Sequence, residues 1–249
     1  MFCTGVDLNN LEYKAPTSNR SGGKVVNVST VPGSTDYKDK LRFQMSESDK
    51  ENLQTAVWGL STPMQGQDAS RRTLELTIES PDLLKFLGDL DEKNIQTAVD
   101  SSNEWFKKPM TKEAVDPMYV RMVKPPSKID AKPTVRVKVK CNEYPTNVYV
   151  VTDVDADGNL TYVKGSHDDL TKNVKCLVIA ETVGLWFMSR QFGMSLTATE
   201  ILVWPNRRST GIDAFNLSNN TKLYMQSSKL VTMPAVAVED DDDPMGAAP

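Results

Sequence analysis

Apolar and polar residues alternate most strictly in residues 132–141, where Val135, Val137 and Val139 are interleaved with Arg136, Lys138 and Lys140. Strand side chains point to opposite faces with period two, so this run predicts a strand with one apolar and one cationic face. Residues 71–79 alternate in the same way and bring Leu74, Leu76 and Ile78 to one face, while residues 41–45 have the pattern of an edge strand. Residues 147–152 and 160–163 predict a hairpin turning at Asp157-Gly158. Residues 173–181 and 185–189 predict a strand pair or one strand bent at Gly184, and Phe192-Gly193 is expected to turn the chain into a last strand over 196–204. Trp58 falls in a stretch expected to be a loop.

The period changes after Ser80-Pro81-Asp82, a helix start with Ser80 as N-cap, Pro81 in the first turn and Asp82 at the positive end of the dipole. Leu83, Leu87, Leu90, Ile95, Ala98, Val99 and Trp105 then recur at near-helical spacing, which predicts one long helix or two in series, interrupted near Gly88-Asp89. Pro109 and Pro117 bracket a short helical turn, and residues 119–123 predict a strand before the Pro125-Pro126 break. Residues 1–40, rich in Ser, Thr, Asn and Gly, predict a flexible N-terminal arm with one strand at most. The organisation expected is therefore an arm (1–40), a β-rich domain (41–205), a peripheral extension (206–238) and a disordered acidic tail (239–249).

Charge changes this picture. The chain of 249 residues is 39% hydrophobic and 25% charged, as a globular protein is, with a net charge of −4. Glu239, Asp240, Asp241, Asp242 and Asp243 carry five negative charges by themselves, so the remainder is at +1. Between Trp105 and Lys140 ten basic residues face three acidic ones. That local excess is an electrostatic footprint for a polyanion. Along a strand, successive cations on one face stand about 6.6 Å apart, the order of the phosphate spacing in an extended nucleic-acid strand. The same alternation also fits an ordinary amphipathic strand whose cations are only solvated.

Catalytic and metal signatures are missing. Cys3, Cys141 and Cys176 form an odd set without Cys-x-x-Cys spacing, which argues against a disulfide framework or zinc site. Asp153, Asp155 and Asp157 open like a calcium loop, but the twelfth position is Lys164 rather than Glu and strands flank the run. His167, the single histidine, sits beside Ser166, the expected cap of a one-turn helix, without partners for a triad. Ser21-Gly22-Gly23-Lys24 is no phosphate loop. No enzyme activity and no cofactor are expected. Neither an 18-residue apolar run nor a signal peptide is found, so no membrane association and an intracellular location are expected.

Short strands interrupted by one helix, a basic sheet face, interleaved aromatics and an acidic tail suggest an OB-fold module, a mainly β (α+β) five-stranded barrel with a long helical insertion. The order of Leu74-Glu-Leu-Thr-Ile-Glu-Ser-Pro81, Thr134-Val-Arg-Val-Lys-Val-Lys-Cys141, Val148-Tyr-Val-Val-Thr-Asp153, Val174-Lys-Cys-Leu-Val-Ile179, Trp186-Phe187, Phe192-Gly193-Met-Ser-Leu196 and Ile201-Leu-Val203 resembles the single-stranded DNA-binding protein of T-seven-type phages. It is also similar to related proteins of large nucleocytoplasmic DNA viruses. The resemblance covers roughly residues 72–204. It implies a protein that coats single-stranded DNA without sequence preference in viral replication, recombination or repair, at the viral replication site in host cytoplasm or nucleus. It also implies that the carboxylates of Glu239, Asp240, Asp241, Asp242 and Asp243 compete with DNA and dock replication enzymes. This chain departs from the phage pattern by ending Gly-Ala-Ala-Pro where that family has an aromatic residue.

A single-strand binder needs cations for phosphates and flat side chains for bases. The candidate cations are Arg136, Lys138 and Lys140, flanked by Lys107, Lys108, Arg121, Lys124 and Arg190; the candidate stacking residues are Trp186 and Tyr149, with Trp105 and Tyr144 ranked below them. Trp186 and Phe187 are neighbours in a strand, so one is expected in the core and the other outside. The rival reading is a virion or scaffold protein whose β-domain makes protein contacts. A homodimer is left open by the sequence.

Overall fold

The computed structural model describes residues 2–18, 22–34, 39–46, 52–63, 70–126, 128–155 and 157–206. The peripheral extension and acidic tail, but for Asn206, lie outside these residues. The described part of the chain up to Asn206 is one compact unit. In chain order its elements are β1 (Glu12–Tyr13), β2 (Thr17–Ser18), β3 (Lys24–Val26), β4 (Val28–Ser29), β5 (Arg42–Gln44), β6 (Gln54–Leu60) and β7 (Arg71–Thr77). The helices α1 (Pro81–Asp100), α2 (Ser102–Phe106) and α3 (Lys112–Val115) follow. The rest is β8 (Tyr119–Val120), β9 (Val123–Lys124), β10 (Thr134–Lys140), β11 (Asn147–Val154), β12 (Leu160–Lys164), β13 (Lys175–Met188) and β14 (Gln191–Trp204).

Five of these strands close a ring. β6 pairs antiparallel with β7, β7 with β10, β13 with β14 and β13 with β6, while β10 and β14 run parallel. An order 1-2-3-5-4 closing back on 1, with its one parallel pair between the third and fifth strands, is OB topology, and the fold is mainly β with α1 inserted between the second and third strands. Closure leaves the ring strands little free edge, so the alternation read from the sequence becomes an inside and an outside. Val135, Val137 and Val139 of β10 face in with Leu74 and Leu76 of β7, all buried, and meet Leu196, Ala198, Ile201 and Val203 of β14.

Ser80 caps α1, its side chain accepting from the Leu83 amide. The helix runs unbroken through Gly88 and ends at Ser101, so the expected break at Gly88-Asp89 is absent. Leu83, Phe86, Leu87, Leu90, Ile95 and Ala98 recur on one face, and burying that face contributes more than one glycine's helix penalty of about 1 kcal/mol removes. Phe86 meets Phe43 of β5 edge to face at 4.8 Å.

Three expectations are corrected. Residues 1–40 are not a free arm where they are described: Cys3, Leu11, Val26 and Val28 are buried, and β3 pairs with β13 at Leu185, Trp186 and Phe187. The reason lies in β13, which bends at Gly184 (φ +105°) beyond the residues that β5 pairs, so its distal half needs another strand to satisfy its backbone groups. A Cβ at Gly184 would stand 2.5 Å from the Val26 carbonyl oxygen, which is why the bend has glycine. Trp58 belongs to strand β6 rather than a loop; the irregularity between Ala56 and Leu60, with Gly59 at φ +75°, hides the period. Phe192-Gly193 is already inside β14, and the chain turns at Ser189-Arg190, so β13 and β14 form one long hairpin.

Candidate nucleic-acid interface

On the outside of the ring the cross-strand partners of β10 and β7 are Arg136 with Glu75, Lys138 with Thr73 and Lys140 with Arg71. Directly paired residues share a face, so this surface carries four cations and one carboxylate. β10 and β14 separate at their N-terminal ends, and the segment Tyr119–Lys124 fills the wedge: β8 pairs with β14 at Phe192 and Gly193, while β9 pairs with β10 at Thr134 and Val135. Segment and sheet enclose an open groove of about 470 Å³. Arg121, Lys124, Arg136, Lys138 and Trp186 line it, over a floor that includes Thr73, Ser195 and Leu196.

The charges in the groove differ in how they are held. Glu75 accepts from Arg136 Nε at 3.1 Å and lies 3.7 Å from Lys124 Nζ. Partial burial would raise its carboxyl, but the hydrogen bonds from Arg136 and Thr134 and the two nearby cations outweigh this and hold it below the usual carboxylate range. Arg121 is bridged to Glu92 at 2.9 Å and Asp116 at 2.7 Å. Lys140, half-buried, lies 3.8 Å from the buried Glu181. Lys138 has no carboxylate within salt-bridge distance among the described residues; lost solvation between the groove walls, and then Arg71 beside it, lower its pKa although its surface is exposed.

Trp186 and Phe187 divide as strand alternation requires. Phe187 stacks on Phe192 at 5.3 Å, meets Trp105 and Phe106, and carries Lys24 over its ring at 4.8 Å. Trp186 is half-buried on the groove side and lies along Gly193, where an added Cβ would come within 3.0 Å of the indole and 2.9 Å of the Val120 carbonyl oxygen. Gly193 thus lets both the indole and β8 approach the sheet.

The wall segment is tied down from below. Asp91 of α1, buried, accepts from the Tyr119 hydroxyl at 2.7 Å and from the Met122 amide at 3.1 Å. Asn94 donates to the Tyr119 oxygen at 2.8 Å and accepts from Tyr13 at 2.7 Å. Burial pushes the Asp91 carboxyl up to about 6, against the opposing pull of its hydrogen bonds and of Arg121.

Residues 63–215 match the model of a family of unknown function, DUF5871. The chain belongs to that family. No curated protein matches this DUF5871 member. Among solved structures it is similar to the single-stranded DNA-binding protein from bacteriophage Enc34 in a C-terminally truncated form, with a TM-score of 0.40, 8% identity and coverage of 79% of this chain and 97% of that one. The same phage protein in complex with single-stranded DNA gives 0.40 and 8% over 79% and 98%, and its form described without truncation or DNA gives 0.37 and 7% over 86% and 99%. The OB topology of the DUF5871 chain rests on its own strand pairing.

Of the ten individual candidates, five line the groove and Lys140 continues the same face; Lys107, Lys108, Arg190 and Tyr149 stand elsewhere. Lys107 and Lys108 follow α2, Arg190 sits in the β13–β14 turn, and all three are exposed. Trp105 is corrected: it is 4% exposed, because α2 turns it inward against Tyr13 and Phe187, so it offers no stacking surface. Tyr144 is exposed in the loop between β10 and β11, apart from the groove lining. Arg71, Thr73 and Glu75 were missed. Their signal was present, since the polar face of the confidently periodic 71–79 strand had to lie beside another strand's polar face.

Proposed function

We propose that this DUF5871 chain binds single-stranded DNA without sequence preference, phosphates along Lys138, Arg136 and Lys124 and a base on Trp186. One observation carries the reading: a closed OB ring places cations from two separated stretches, Arg121 with Lys124 and Arg136 with Lys138, and one half-exposed indole in a single open groove. Such a groove tracks a backbone electrostatically and offers a π-face that every base can use, which favours sequence-tolerant binding. The groove is flanked by strands and a non-helical wall, and among the described residues no helix lines it to project side chains for major-groove readout, which supports single over double strands.

The finer part of the proposal is that the protein coats strands during viral DNA replication, recombination or repair as a non-enzymatic, intracellular partner of replication enzymes, akin to the binding proteins of T-seven-type phages and large nucleocytoplasmic DNA viruses. The charge segregation between the 105–140 stretch and residues 239–243 supports it. A gel shift with single-stranded DNA, duplex and RNA of one sequence tests the core claim: single-stranded DNA shifts at the lowest protein concentration, and preference for duplex overturns it.

A further inference from the structure

The outward face of the β13–β14 hairpin does not stop at the groove. Inward residues of β14 are Leu196, Ala198, Ile201 and Val203, and the register shift that leaves Thr199 unpaired with β13 keeps Glu200 and Leu202 on the same outward side as Thr197. Beyond that shift β11 replaces β10 as the parallel neighbour, with Tyr149 directly beside Leu202. Leu177, Ile179 and Leu202, all partly exposed, form the bottom of a shallow depression of about 280 Å³, and Tyr149 and Tyr162 form its wall. The two rings meet edge to face at 5.6 Å, and Tyr162 is 56% exposed.

The rim is cationic. Lys164 lies directly across from Tyr149 and shares its face, and Lys175, two residues before Leu177, points to the same side; both are exposed. The carboxylate in the depression, Glu200, is bridged to Arg42 at 2.7 Å. Two aromatic rings, one exposed and one half-buried, and flanking lysines repeat the cation-and-aromatic chemistry of the groove around Trp186, here over an apolar bottom. From Ser195 at the groove to Leu202 is seven residues, about 23 Å along the strand, within reach of the about 4–16 nucleotides that one OB fold accommodates.

We propose that the Tyr149–Tyr162 depression is a second base-stacking subsite for the same single strand that occupies the groove. The proposal rests on the reading of the groove given above. Continuity points to its occupant: Ser195 and Leu202 lie on one outward side of β14, and a strand leaving the groove crosses Thr197, itself buried beside Glu181, whose carboxylate Lys140 faces at 3.8 Å, before it reaches Leu202. A strand too short to span both places gains nothing from the tyrosines.

The test is a fluorescence-anisotropy titration of wild type and Tyr162→Ala with oligo-dT of about 2 nucleotides, too short to cover about 23 Å, and of about 16 nucleotides. The exposed Tyr162 makes the variant a mild one, and its melting curve checks that it folds; Trp58→Ala, at an exposed aromatic that lines neither the groove nor the depression, serves as the control. We expect Tyr162→Ala to bind the long oligonucleotide about 5- to 150-fold more weakly, the equivalent of one lost stacking contact, and the short one as wild type does. Trp58→Ala should match wild type on both. Equal losses on both lengths, or no loss on the long one, overturn the subsite. Unchanged affinities with a shift from dimer to monomer in sedimentation give the depression to a second copy of the chain and overturn it too. If wild type binds neither length, the groove reading itself fails.

Discussion

At the scale of single residues, the cations of the groove are not equivalent. Arg121 is engaged by Glu92 and Asp116, and Arg136 shares Glu75 with Lys124, so part of their charge is neutralised before any ligand arrives. Lys138 has no such carboxylate among the described residues, and its lowered pKa, caused by lost solvation and then by Arg71, means that a phosphate beside it would relieve an unfavourable environment. Lys138→Ala is therefore expected to lower the slope of log affinity against log salt by about 0.7, the share of one neutralised phosphate on a single strand, whereas Arg121→Ala should leave it nearly unchanged. Salt titrations with oligo-dT measure both, and a larger effect at Arg121 would contradict the assignment. Trp186→Ala should weaken binding by about 1–3 kcal/mol, read from the same titrations at one salt concentration. The sequence already placed Arg136 and Lys138 on one face of one strand; it could not show that Glu75 would stand opposite Arg136, because pairing partners are set by ring closure and not by local pattern.

At the scale of elements, the wall Tyr119–Lys124 is the piece whose position defines the groove, and α1 holds it through Asp91. The Asp91 carboxyl titrates near 6 in the folded protein against an ordinary value near 4, so the folded state binds its proton more tightly than the unfolded state does. Its contribution to stability is then fully present below about pH 4, is lost at about 1.4 kcal/mol per pH unit as pH rises towards about 6, and is constant above that. Tyr119, Met122, Arg121 and Glu92 face the same carboxyl, and Asp91→Asn removes its titration while leaving theirs. The stability difference between wild type and Asp91→Asn should thus favour wild type increasingly from pH 6 down to pH 4, measured by urea denaturation; a difference constant over that range would contradict it. Helix α1 was legible from its cap and its apolar spacing. The wall was only half legible, because two two-residue strands either side of Arg121-Met122 present too little alternation to reveal a segment pairing with two different strands.

At the scale of the whole molecule, a chain of net charge −4 can present a cationic groove because its acids are placed elsewhere: Asp89 and Glu92 of α1 are bridged to Lys85, Lys112 and Arg121, and five more carboxylates lie in residues 239–243. The alternation of 71–79 and 132–141, the helix between them and the 147–163 hairpin were readable and are enough to indicate an OB module. The packing of residues 1–40 was not, because their need arises from the edge of a bent β13 far away in sequence. Residues 239–249 fall outside the described structure, and their role is a matter of charge alone: removing them leaves +1, and the truncated protein should bind oligo-dT more tightly at low salt, where the Debye length is longest, with the gain fading at high salt. Equal affinities at low salt would leave the tail no competing role.

Binding of the strand rests on the outer face of β7 and β10. Its most direct test is the salt dependence of oligo-dT binding by wild type and by Arg136→Ala with Lys138→Ala, a pair chosen because Lys140 lies beside the buried Glu181 and its loss would also disturb the fold. Both side chains are exposed, so the double variant should melt within a few degrees of wild type while its salt slope falls by more than about 0.7, the share of Lys138→Ala alone, and by at most about 1.4, two phosphates' worth, since Glu75 already neutralises part of Arg136. A double variant that binds with the wild-type slope, or a wild type whose affinity ignores salt, would contradict the claim that this face holds the strand.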